Sequence, residues 1–159
     1  MNAICRPKGF KASALACGLK KNNSLDLALI YSEVPALSCG MFTRNKIVAH
    51  PVKICKLHLK GRLAQAIVVN SGNANCYTGE KGRAIAEKTA ALSAKLLKMR
   101  KKLVLISSTG IIGKVPDFAK ISSAIPDLVK SLNDKDGSRA AEAIMTTDTH
   151  PKEWTRRVN

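Results

Sequence analysis

Apolar residues in the first half of the chain fall into short runs whose length and spacing are typical of strands. Residues 25–31 alternate in part between apolar and polar side chains and predict a strand with one buried side. We expect this strand to end before Val34 and Pro35, because proline lacks the N–H that a sheet needs. Two further β-like runs, at 36–43 and 46–52, are joined by a polar turn. The first half therefore predicts three strands.

In the second half, the spacing of the apolar residues changes. Residues 65–70 form an apolar run that predicts a strand and leads into a polar loop. From Gly82 the period becomes 3.6, which predicts a helix. One face of that helix carries Ile85, Thr89, Leu92, Leu96 and Met99. Residues 102–106 predict another buried strand.

The last third of the chain predicts further helices. Apolar residues from Phe118 to Leu132 recur at helical spacing, and we expect Pro126 to bend this helix or to start a new one. Ser138 is expected to cap a short helix, and residues 144–147 resemble a strand. The order of the elements, strands first and then strand–helix–strand–helix, favours an α/β fold. We predict a layered domain with helices packed on a mixed β-sheet.

The composition fits one domain with an aliphatic core. Hydrophobic residues make up 45% of the 159 positions, but aromatic residues only 4%. No run approaches the roughly 18 apolar residues of a membrane-spanning helix, so no membrane association is predicted. The first residues combine basic side chains with a short apolar run at 12–19 that Ser13 and Gly18 interrupt. We interpret them as mature protein rather than as a signal peptide.

The formal net charge of +16 raises the question of a nucleic-acid partner. Clustered lysine and arginine side chains bind nucleic acid by displacing counterions from phosphates. The basic residues here, however, are spread from Arg6 to Arg157, and their one dense run, at 98–102, ends a predicted helix, where cations complement the helix dipole. Stacking aromatic residues do not alternate with them. A small basic nucleic-acid-binding protein is therefore the alternative function, and a lysine-rich surface is the favoured interpretation.

The cysteines and histidines indicate neither disulfides nor a metal site. The cysteines are dispersed without a CxxC pair, which indicates reduced thiols in the cytosol; they are Cys5, Cys17, Cys39, Cys55 and Cys76. His50, His58 and His150 lack the spacing of a zinc site, so we predict no metal and no other cofactor. Cys76 could be a nucleophile, but no local His or Asp motif accompanies it, and a small buried side chain is the favoured interpretation.

Three polar loops, at 70–79, 107–113 and 145–152, follow apolar runs, and strand ends can hold polar groups at fixed positions. In STGIIG, the Thr109 hydroxyl and the Gly110 N–H can point at one oxygen atom, because glycine lets the backbone approach closely. Two such donors would form an oxyanion hole. The alternatives are a turn that uses glycine for positive φ, and a phosphate site, although the spacing is not that of a P-loop.

The asparagine-rich loop NSGNANCYTG leaves two interpretations open. The side chains of Asn70, Asn73 and Asn75 could hydrogen-bond a substrate. They could equally stabilise a tight loop by bonding to neighbouring backbone groups, as asparagines do in Asx-turns. The motif alone favours the structural interpretation.

Four segments together resemble a known family. In chain order they are GFKASALACGLKK, AIVVNSGNANCYTGEKG, VLISSTGIIGKVP and EAIMTTDTHPK. They resemble the ornithine acetyltransferase family, whose members are glutamate N-acetyltransferases of arginine biosynthesis. Together with the reduced thiols, this predicts a cytoplasmic protein. The likeness covers about residues 8–152, and the three polar loops make it highly specific. The resemblance implies the N-terminal part of this family's fold.

The resemblance also implies a reaction and the residues that serve it. Family members are acyltransferases that move an acetyl group from N-acetylornithine to glutamate by a ping-pong route through an acetyl-threonine intermediate. Thr109 and Gly110 match the Thr and Gly of the family's oxyanion hole. Thr146 matches the first Thr of TTDT, which contacts the substrate. Ile111 and Ile112 are expected to keep water away, which strengthens such donors.

One part of the family pattern is not found in this sequence. Family members are made as a longer precursor that cuts itself before a threonine in a segment resembling KGxGMIxPNMATML, and that threonine becomes the nucleophile. No such segment occurs up to Asn159. We therefore expect an incomplete N-terminal, α-chain-like domain at 1–152, a divergent tail at 153–159, and no activity of this chain alone. Three interpretations fit the missing segment. The divergent tail favours a gene fragment or frameshift. The alternatives are a residual binding protein and an α-like piece of a split enzyme, whose separate β-like chain would join it in the heterotetramer that the resemblance implies.

Overall fold

The computed structural model describes residues 2–158, which form a four-stranded sheet with helices packed on it. The strands are β1 (Phe10–Leu15), β2 (Leu27–Leu37), β3 (Leu63–Asn70) and β4 (Val104–Ser108). The helices are α1 (His50–His58), α2 (Gly79–Leu96), α3 (Phe118–Lys130) and α4 (Gly137–Ala143), and single 3₁₀ turns lie at Leu59–Gly61 and Lys101–Leu103. No helix within the described residues is long and apolar enough to cross a membrane.

The sheet is mixed, with the strand order β1-β2-β3-β4. β2 is antiparallel to both β1 and β3, whereas β3 and β4 are parallel. Leu15 pairs with Leu27, Leu27 with Asn70, and Asn70 with Ser108. Hence β1, β3 and β4 run in one direction and end level with one another at one edge of the sheet. The predicted fold class is confirmed.

Helices cover both faces of the sheet, and strand alternation decides which residues meet them. On one face, α2 and α3 pack on a buried aliphatic cluster formed by Leu27, Leu29, Ala66, Val68, Ala90, Ala94, Val104, Ile106, Ile121, Ile125 and Leu128. On the other face, α4 packs on smaller side chains, namely Ala12, Ala14, Ala28 and Val69, with Cys5 beside them. Small residues on that face let α4 approach the sheet closely.

Helix α1 lies against β4, the last strand of the sheet. The His58 imidazole donates from Nδ1 to the Val104 carbonyl over 2.7 Å, and the Cys55 thiol donates to the Ile106 carbonyl over 3.1 Å. These side chains occupy carbonyl groups of a strand that has no further strand beside it. Covering an edge in this way satisfies its polar groups and blocks pairing with other chains.

The opposite edge, β1, is covered by the segment that follows α3. Asn133 exchanges two backbone hydrogen bonds with Ala12, of 2.8 and 3.1 Å. The Arg139 guanidinium donates to the Ala14 carbonyl over 3.0 Å. At the centres of both outer strands, outward-facing polar groups are therefore hydrogen-bonded within the chain.

The prediction that the second strand ends before Val34 and Pro35 is wrong. β2 continues through Pro35 to Leu37. The register with β3 shifts between Tyr31 and Ala36, and the pairing with β1 stops at Ser32. Pro35 therefore lies where neither neighbouring strand needs its N–H, and the proline is tolerated.

The two predicted strands at 36–43 and 46–52 are also wrong. Residues 38–49 lack regular secondary structure, and helix α1 begins at His50. Pro51 lies in its first turn, where the fixed φ of proline suits a helix and its missing N–H costs nothing. Because α1 has nine residues, its apolar positions span too few turns for a helical period to be distinguished from a strand pattern.

The strands and helices predicted between residues 65 and 132 are confirmed in type, with shifted bounds. α2 buries small residues, namely Gly82, Ala86, Thr89, Ala90, Ser93 and Ala94, while the larger Leu92, Leu96 and Met99 are only partly buried. α3 runs through Pro126 as one helix. Pro126 lies on the exposed side, and the buried Ile125 and Leu128 hold the helix on the sheet.

Two expectations for the end of the chain are wrong. Asp136, not Ser138, precedes α4, and the first N–H of this helix, at Gly137, donates over 2.7 Å to the Asn2 side chain. A residue far away in sequence therefore supplies the acceptor, which no local pattern could indicate. Residues 144–147 form a turn and bends rather than a strand.

Replacing Leu128 by alanine tests the core between α3 and the sheet. Leu128 is 0% exposed, and we expect Leu128→Ala to lower the free energy of unfolding by about 2–5 kcal/mol, because it removes buried methyl groups and leaves a cavity. Leu57→Ala is the matched control in α1, where the leucine is 61% exposed, and its effect should stay within about 0.5 kcal/mol. Urea denaturation followed by circular dichroism measures both, and equal effects would contradict the described core.

Candidate active site

A cleft of about 870 Å³ lies at the edge where β1, β3 and β4 end. The loops that follow these three strands line it, together with two threonines after α4. The lining residues are Gly18, Leu19, Lys20, Lys21, Asn22, Gly72, Asn73, Thr109, Gly110, Ile111, Lys114, Val115, Asp117, Lys120, Thr146 and Thr147. The three site residues named from the sequence, Thr109, Gly110 and Thr146, are thus brought to one cleft.

The bend at Thr109 and Gly110 leaves two hydrogen-bond donors unused. The Thr109 N–H donates to the Asn70 carbonyl over 3.0 Å, which ties the bend to the end of β3. Within residues 2–158, neither the Thr109 hydroxyl nor the Gly110 N–H bonds to another protein group. Thr109 is half-buried and Gly110 is exposed. Adjacent donors in a cleft can stabilise negative charge on an oxygen atom.

Gly110 is required at this bend for two reasons. Its φ is +128°, a conformation that residues with a side chain rarely adopt. A Cβ atom on Gly110 would lie 2.5 Å from the carbonyl carbon of Gly72 and 2.6 Å from the nitrogen of Asn73. The backbone of the bend therefore packs directly on the backbone of the loop after β3.

A similar contact joins the loop after β3 to the loop after β1. Gly72 has a φ of +89°, and a Cβ atom there would lie 3.3 Å from the backbone carbon and oxygen of Leu19. The segments around Leu19, Gly72 and Gly110 are thus stacked backbone on backbone. Gly110 thus contacts the loop after β3, which in turn contacts the loop after β1.

The asparagines of the middle loop hold the loop itself. Asn70 accepts from the Ser108 hydroxyl over 2.6 Å and donates to the Asn73 carbonyl over 2.9 Å. The Asn73 side chain donates to the Lys114 carbonyl over 2.9 Å and accepts the Asn75 N–H over 2.8 Å. Both side-chain amides therefore bond within the protein, as the structural interpretation predicts.

Asn75 anchors the same loop to the start of α2. It donates to the Gly82 carbonyl over 2.9 Å and accepts from the Thr78 hydroxyl over 2.7 Å. Asn75 is 2% exposed. Its amide is occupied on both sides and fixes where the helix begins relative to the strand.

Lysines give the cleft a positive potential. The lining includes four lysines and one carboxylate, that of Asp117, which caps α3. Lys20 donates to the Leu25 carbonyl over 2.9 Å, and Lys120 donates to the Gly18 carbonyl over 2.8 Å. Concentrated positive charge in a cleft attracts anionic ligands.

A buried carboxylate that was not predicted from the sequence, that of Asp26, lies beneath the cleft. Asp26 is 0% exposed and accepts the backbone N–H groups of Cys17, Leu19 and Lys20 over 2.6, 2.7 and 2.9 Å. Burial, and then a hydrogen bond to Asp26, raise the pKa of the Cys17 thiol to about 12. The signal available in the sequence is a charged residue directly before the apolar run LALI.

The described residues offer no metal site. Within residues 2–158, no three His, Cys, Asp or Glu side chains are grouped to hold an ion. All five cysteines are free, and Cys76 is partly buried. The backbone carbonyl of Cys76 accepts the Gly113 N–H over 2.9 Å, which ties the loop after β4 to the loop after β3.

Ile111 and Ile112 do not shield the two donors within the described chain. They are 59% and 68% exposed, so the expectation that they exclude water is wrong for these residues alone. Ile111 lines the cleft, and both isoleucines present exposed apolar side chains.

The amino-acid sequence of this chain matches a known protein family. The family model described as the ArgJ family matches residues 11–159. The chain belongs to the ArgJ family. The predicted resemblance to the ornithine acetyltransferases is thereby confirmed. The boundary at residue 152 stays a prediction, and the family match extends across it.

Curated relatives carry the name arginine biosynthesis bifunctional protein ArgJ. The protein from Thermosynechococcus vestitus is 44% identical over 94% of this chain and 36% of its own length. The protein from Dehalococcoides mccartyi is 45% identical over 99% of this chain and 39% of its own length. The chain therefore spans little more than a third of these relatives.

Solved structures share the fold. Ornithine acetyltransferase from Mycobacterium tuberculosis, complexed with ornithine, matches with a TM-score of 0.90 at 35% identity, covering 93% of this chain and 81% of that chain. ArgJ from Bacillus halodurans matches with a TM-score of 0.86 at 32% identity, covering 92% of this chain and 77% of that one. These relatives and structures give no support to a nucleic-acid-binding function.

Gly110→Ala tests the contact between the loops. The added Cβ atom would meet the Gly72 backbone, so we expect unfolding free energy to fall by about 2 kcal/mol or more. Gly113→Ala is the matched control, because φ is +81° there but no atom beyond its two chain neighbours lies within 4 Å of the added Cβ; its cost should be about 1 kcal/mol. Chemical denaturation measures both variants. A loss for Gly113→Ala equal to that for Gly110→Ala would show that the backbone contact is not tight.

Thiol labelling tests the environment of Cys17. The pKa of the Cys17 thiol is raised from 9.0 to about 12, which lowers its thiolate fraction at pH 8 about 10³-fold. A thiolate of higher pKa is also more nucleophilic, and this restores roughly half of the lost reaction rate on a logarithmic scale. We expect iodoacetamide to modify Cys17 about 30-fold more slowly in the folded chain than in urea. Peptide mass spectrometry measures the rates, with the exposed Cys39 as the internal control. Equal rates for Cys17 in both states would contradict the buried site.

Proposed function

We propose that this chain supplies the oxyanion hole of a glutamate N-acetyltransferase that takes its acetyl group from N-acetylornithine, in arginine biosynthesis. It is the N-terminal, α-chain-like portion of that cytoplasmic enzyme and is inactive alone. The observation that carries the proposal is the pair of unused donors, the Thr109 hydroxyl and the Gly110 N–H, at one bend of the cleft. Membership of the ArgJ family supports the reaction.

The proposed donors act on the acetyl carbonyl oxygen. When a nucleophilic hydroxyl attacks the carbonyl carbon of N-acetylornithine, the oxygen becomes negative and is held by both donors. Collapse of this tetrahedral intermediate breaks the C–N bond, and ornithine leaves after its nitrogen takes up the proton that the hydroxyl lost. Glutamate then attacks the acetyl ester through its amine, and the same donors hold the second oxyanion. Its collapse breaks the C–O bond of the ester and releases N-acetylglutamate, and the hydroxyl regains a proton from the attacking amine. Such donors act by being in position before the charge forms.

The substrate's charges fit the rest of the cleft. N-acetylornithine and glutamate carry carboxylates, and lysines line the cleft. Thr146 also lines it, in a segment that a hydrogen bond from the Thr146 N–H to the Asp148 carboxylate holds over 3.3 Å. We assign Thr146 to substrate contact. The complex of the Mycobacterium tuberculosis relative with ornithine supports a substrate of this class.

The nucleophilic threonine is proposed to come from a second, β-like chain, in a two-plus-two assembly. This chain covers 36% of a curated relative but 81% of the solved ornithine acetyltransferase chain from Mycobacterium tuberculosis. The solved chain is thus far shorter than the curated sequence, which supports a division of the protein into two chains. The exposed Ile111 and Ile112 are the surface that the second chain would cover, and covering them would exclude water from the donors.

Co-expression tests the function. Residues 1–159 are produced together with the remaining C-terminal part of the Dehalococcoides mccartyi relative, and acetyl transfer from N-acetylornithine to glutamate is measured on the co-purified pair. We expect activity that depends on both chains. Thr109→Ala should lower kcat about 10²–10³-fold, because it removes one oxyanion donor.

Thr109→Ser is the matched control, since it keeps the hydroxyl, and it should retain most of the activity. Chains that do not co-purify would contradict the proposed partner. An assembled but inactive pair would contradict the reaction, and an active pair that tolerates Thr109→Ala would remove Thr109 from the oxyanion hole.

A further inference from the structure

We propose that Asp26 is a positioning residue, whose buried carboxylate sets the place of the Gly110 amide through the stacked loops between them. The inference deepens the proposed function and rests on it for its catalytic consequence. Asp26 does not reach the cleft itself. Its influence passes through two backbone contacts that the chain shows.

The Asp26 carboxylate holds the loop after β1 by hydrogen bonds. One carboxylate oxygen accepts from Cys17 over 2.6 Å, and the other accepts from Leu19 and Lys20 over 2.7 and 2.9 Å. No lysine, arginine or histidine pairs with Asp26 within residues 2–158. Three backbone N–H groups therefore stabilise this buried charge, and hydrogen bonds to a charged acceptor are stronger than neutral ones.

The backbone of Asp26 connects the same residue to the other layers. Its N–H donates to the Leu15 carbonyl over 3.1 Å, and its carbonyl accepts from Ser71 over 2.8 Å. Asp26 thus lies where the end of β1, the start of β2 and the end of β3 meet. Ser71 directly precedes Gly72. Asp26 therefore bonds to the loop after β1 through its carboxylate and to the loop after β3 through its backbone carbonyl.

The second step is the contact between the layers. Leu19 lies against Gly72 closely enough that a Cβ atom on Gly72 would be 3.3 Å from its backbone, and Gly110 lies against Gly72 more closely still. Backbone atoms packed on backbone atoms have no side-chain rotamer that could absorb a shift. Movement of the loop at 17–20 is therefore passed to Gly110. An oxyanion donor displaced by about 1 Å can cost about 10²-fold in rate.

Nuclear magnetic resonance of the full 159-residue chain tests the connection without any activity. Asp26→Asn keeps the shape of the side chain but places an amide donor against at least one backbone N–H. We expect amide exchange at Leu19 and Lys20 to become at least about 10-fold faster, and the Gly72 and Gly110 resonances to shift.

Asp136→Asn is the matched control. Its carboxylate is 15% exposed and pairs with Arg139 on α4, away from the cleft lining, and it should leave Gly110 unchanged. If Asp26→Asn does not fold, the same spectra are recorded for Asp26→Ser, which keeps one acceptor oxygen. Changes confined to residues 17–20, with Gly110 unmoved, would overturn the proposal.

Kinetics of the co-expressed pair test the catalytic consequence. Asp26→Asn should lower kcat about 10- to 100-fold and change KM little. It should have a much smaller effect in the Thr109→Ala background, because residues that act through one site are not additive. Asp136→Asn should have the same small effect in both backgrounds.

Additive losses for Asp26→Asn and Thr109→Ala would overturn the positioning role, since a merely structural residue lowers activity independently of Thr109. A wild-type pair without activity would count against the proposed function instead. In that case the resonance of Gly110 still decides whether Asp26 controls its place.

Discussion

The direction of the strands is the constraint on which the site depends. Because β2 is antiparallel to both neighbours while β4 is parallel to β3, the strands β1, β3 and β4 all end at one edge. The polar loops that follow them are therefore forced together, although they come from distant parts of the sequence. Side chains of the middle loop, such as Asn73, then bond to neighbouring backbone, and glycines let the loops touch. The order and direction of the strands therefore determine the position of the cleft more than any single residue does.

Strong periodic patterns allowed the second half of the fold to be predicted, and short or interrupted patterns did not. The spacing of α2 and α3 extends over several turns, so their type was clear. α1 is short and begins with His50 and Pro51, and its residues fit a strand pattern equally well. β1 was not predicted, because its small residues, such as Ala12 and Ala14, contrast little with their neighbours. The prediction that β2 ends before Pro35 was wrong for a different reason. Whether a strand tolerates a proline there depends on where β1 stops pairing with it.

The residues of the candidate site divide in the same way. Thr109, Gly110 and Thr146 were identified by motif, and the chain brings them to one cleft; their roles stay predictions. Asp26 could not be recognised, because its partners are backbone N–H groups, which are present in every sequence and become a site only when a loop folds around a carboxylate. The exposure of Ile111 and Ile112 likewise could not be recognised, because it depends on what the rest of the fold places over them.

The part of β2 that projects beyond β1 carries one more consequence. Val34 and Leu37 are exposed there, at 65% and 83%, on an extended backbone beyond the last residue that pairs with β1, and an open edge of this kind can pair with another chain. Pro35 stands between them and cannot supply the N–H that each added strand would require. The residue that looks like a strand breaker in the sequence is therefore a gatekeeper in the folded chain. A strand added at this edge would lose one hydrogen bond at Pro35, which opposes pairing with another chain.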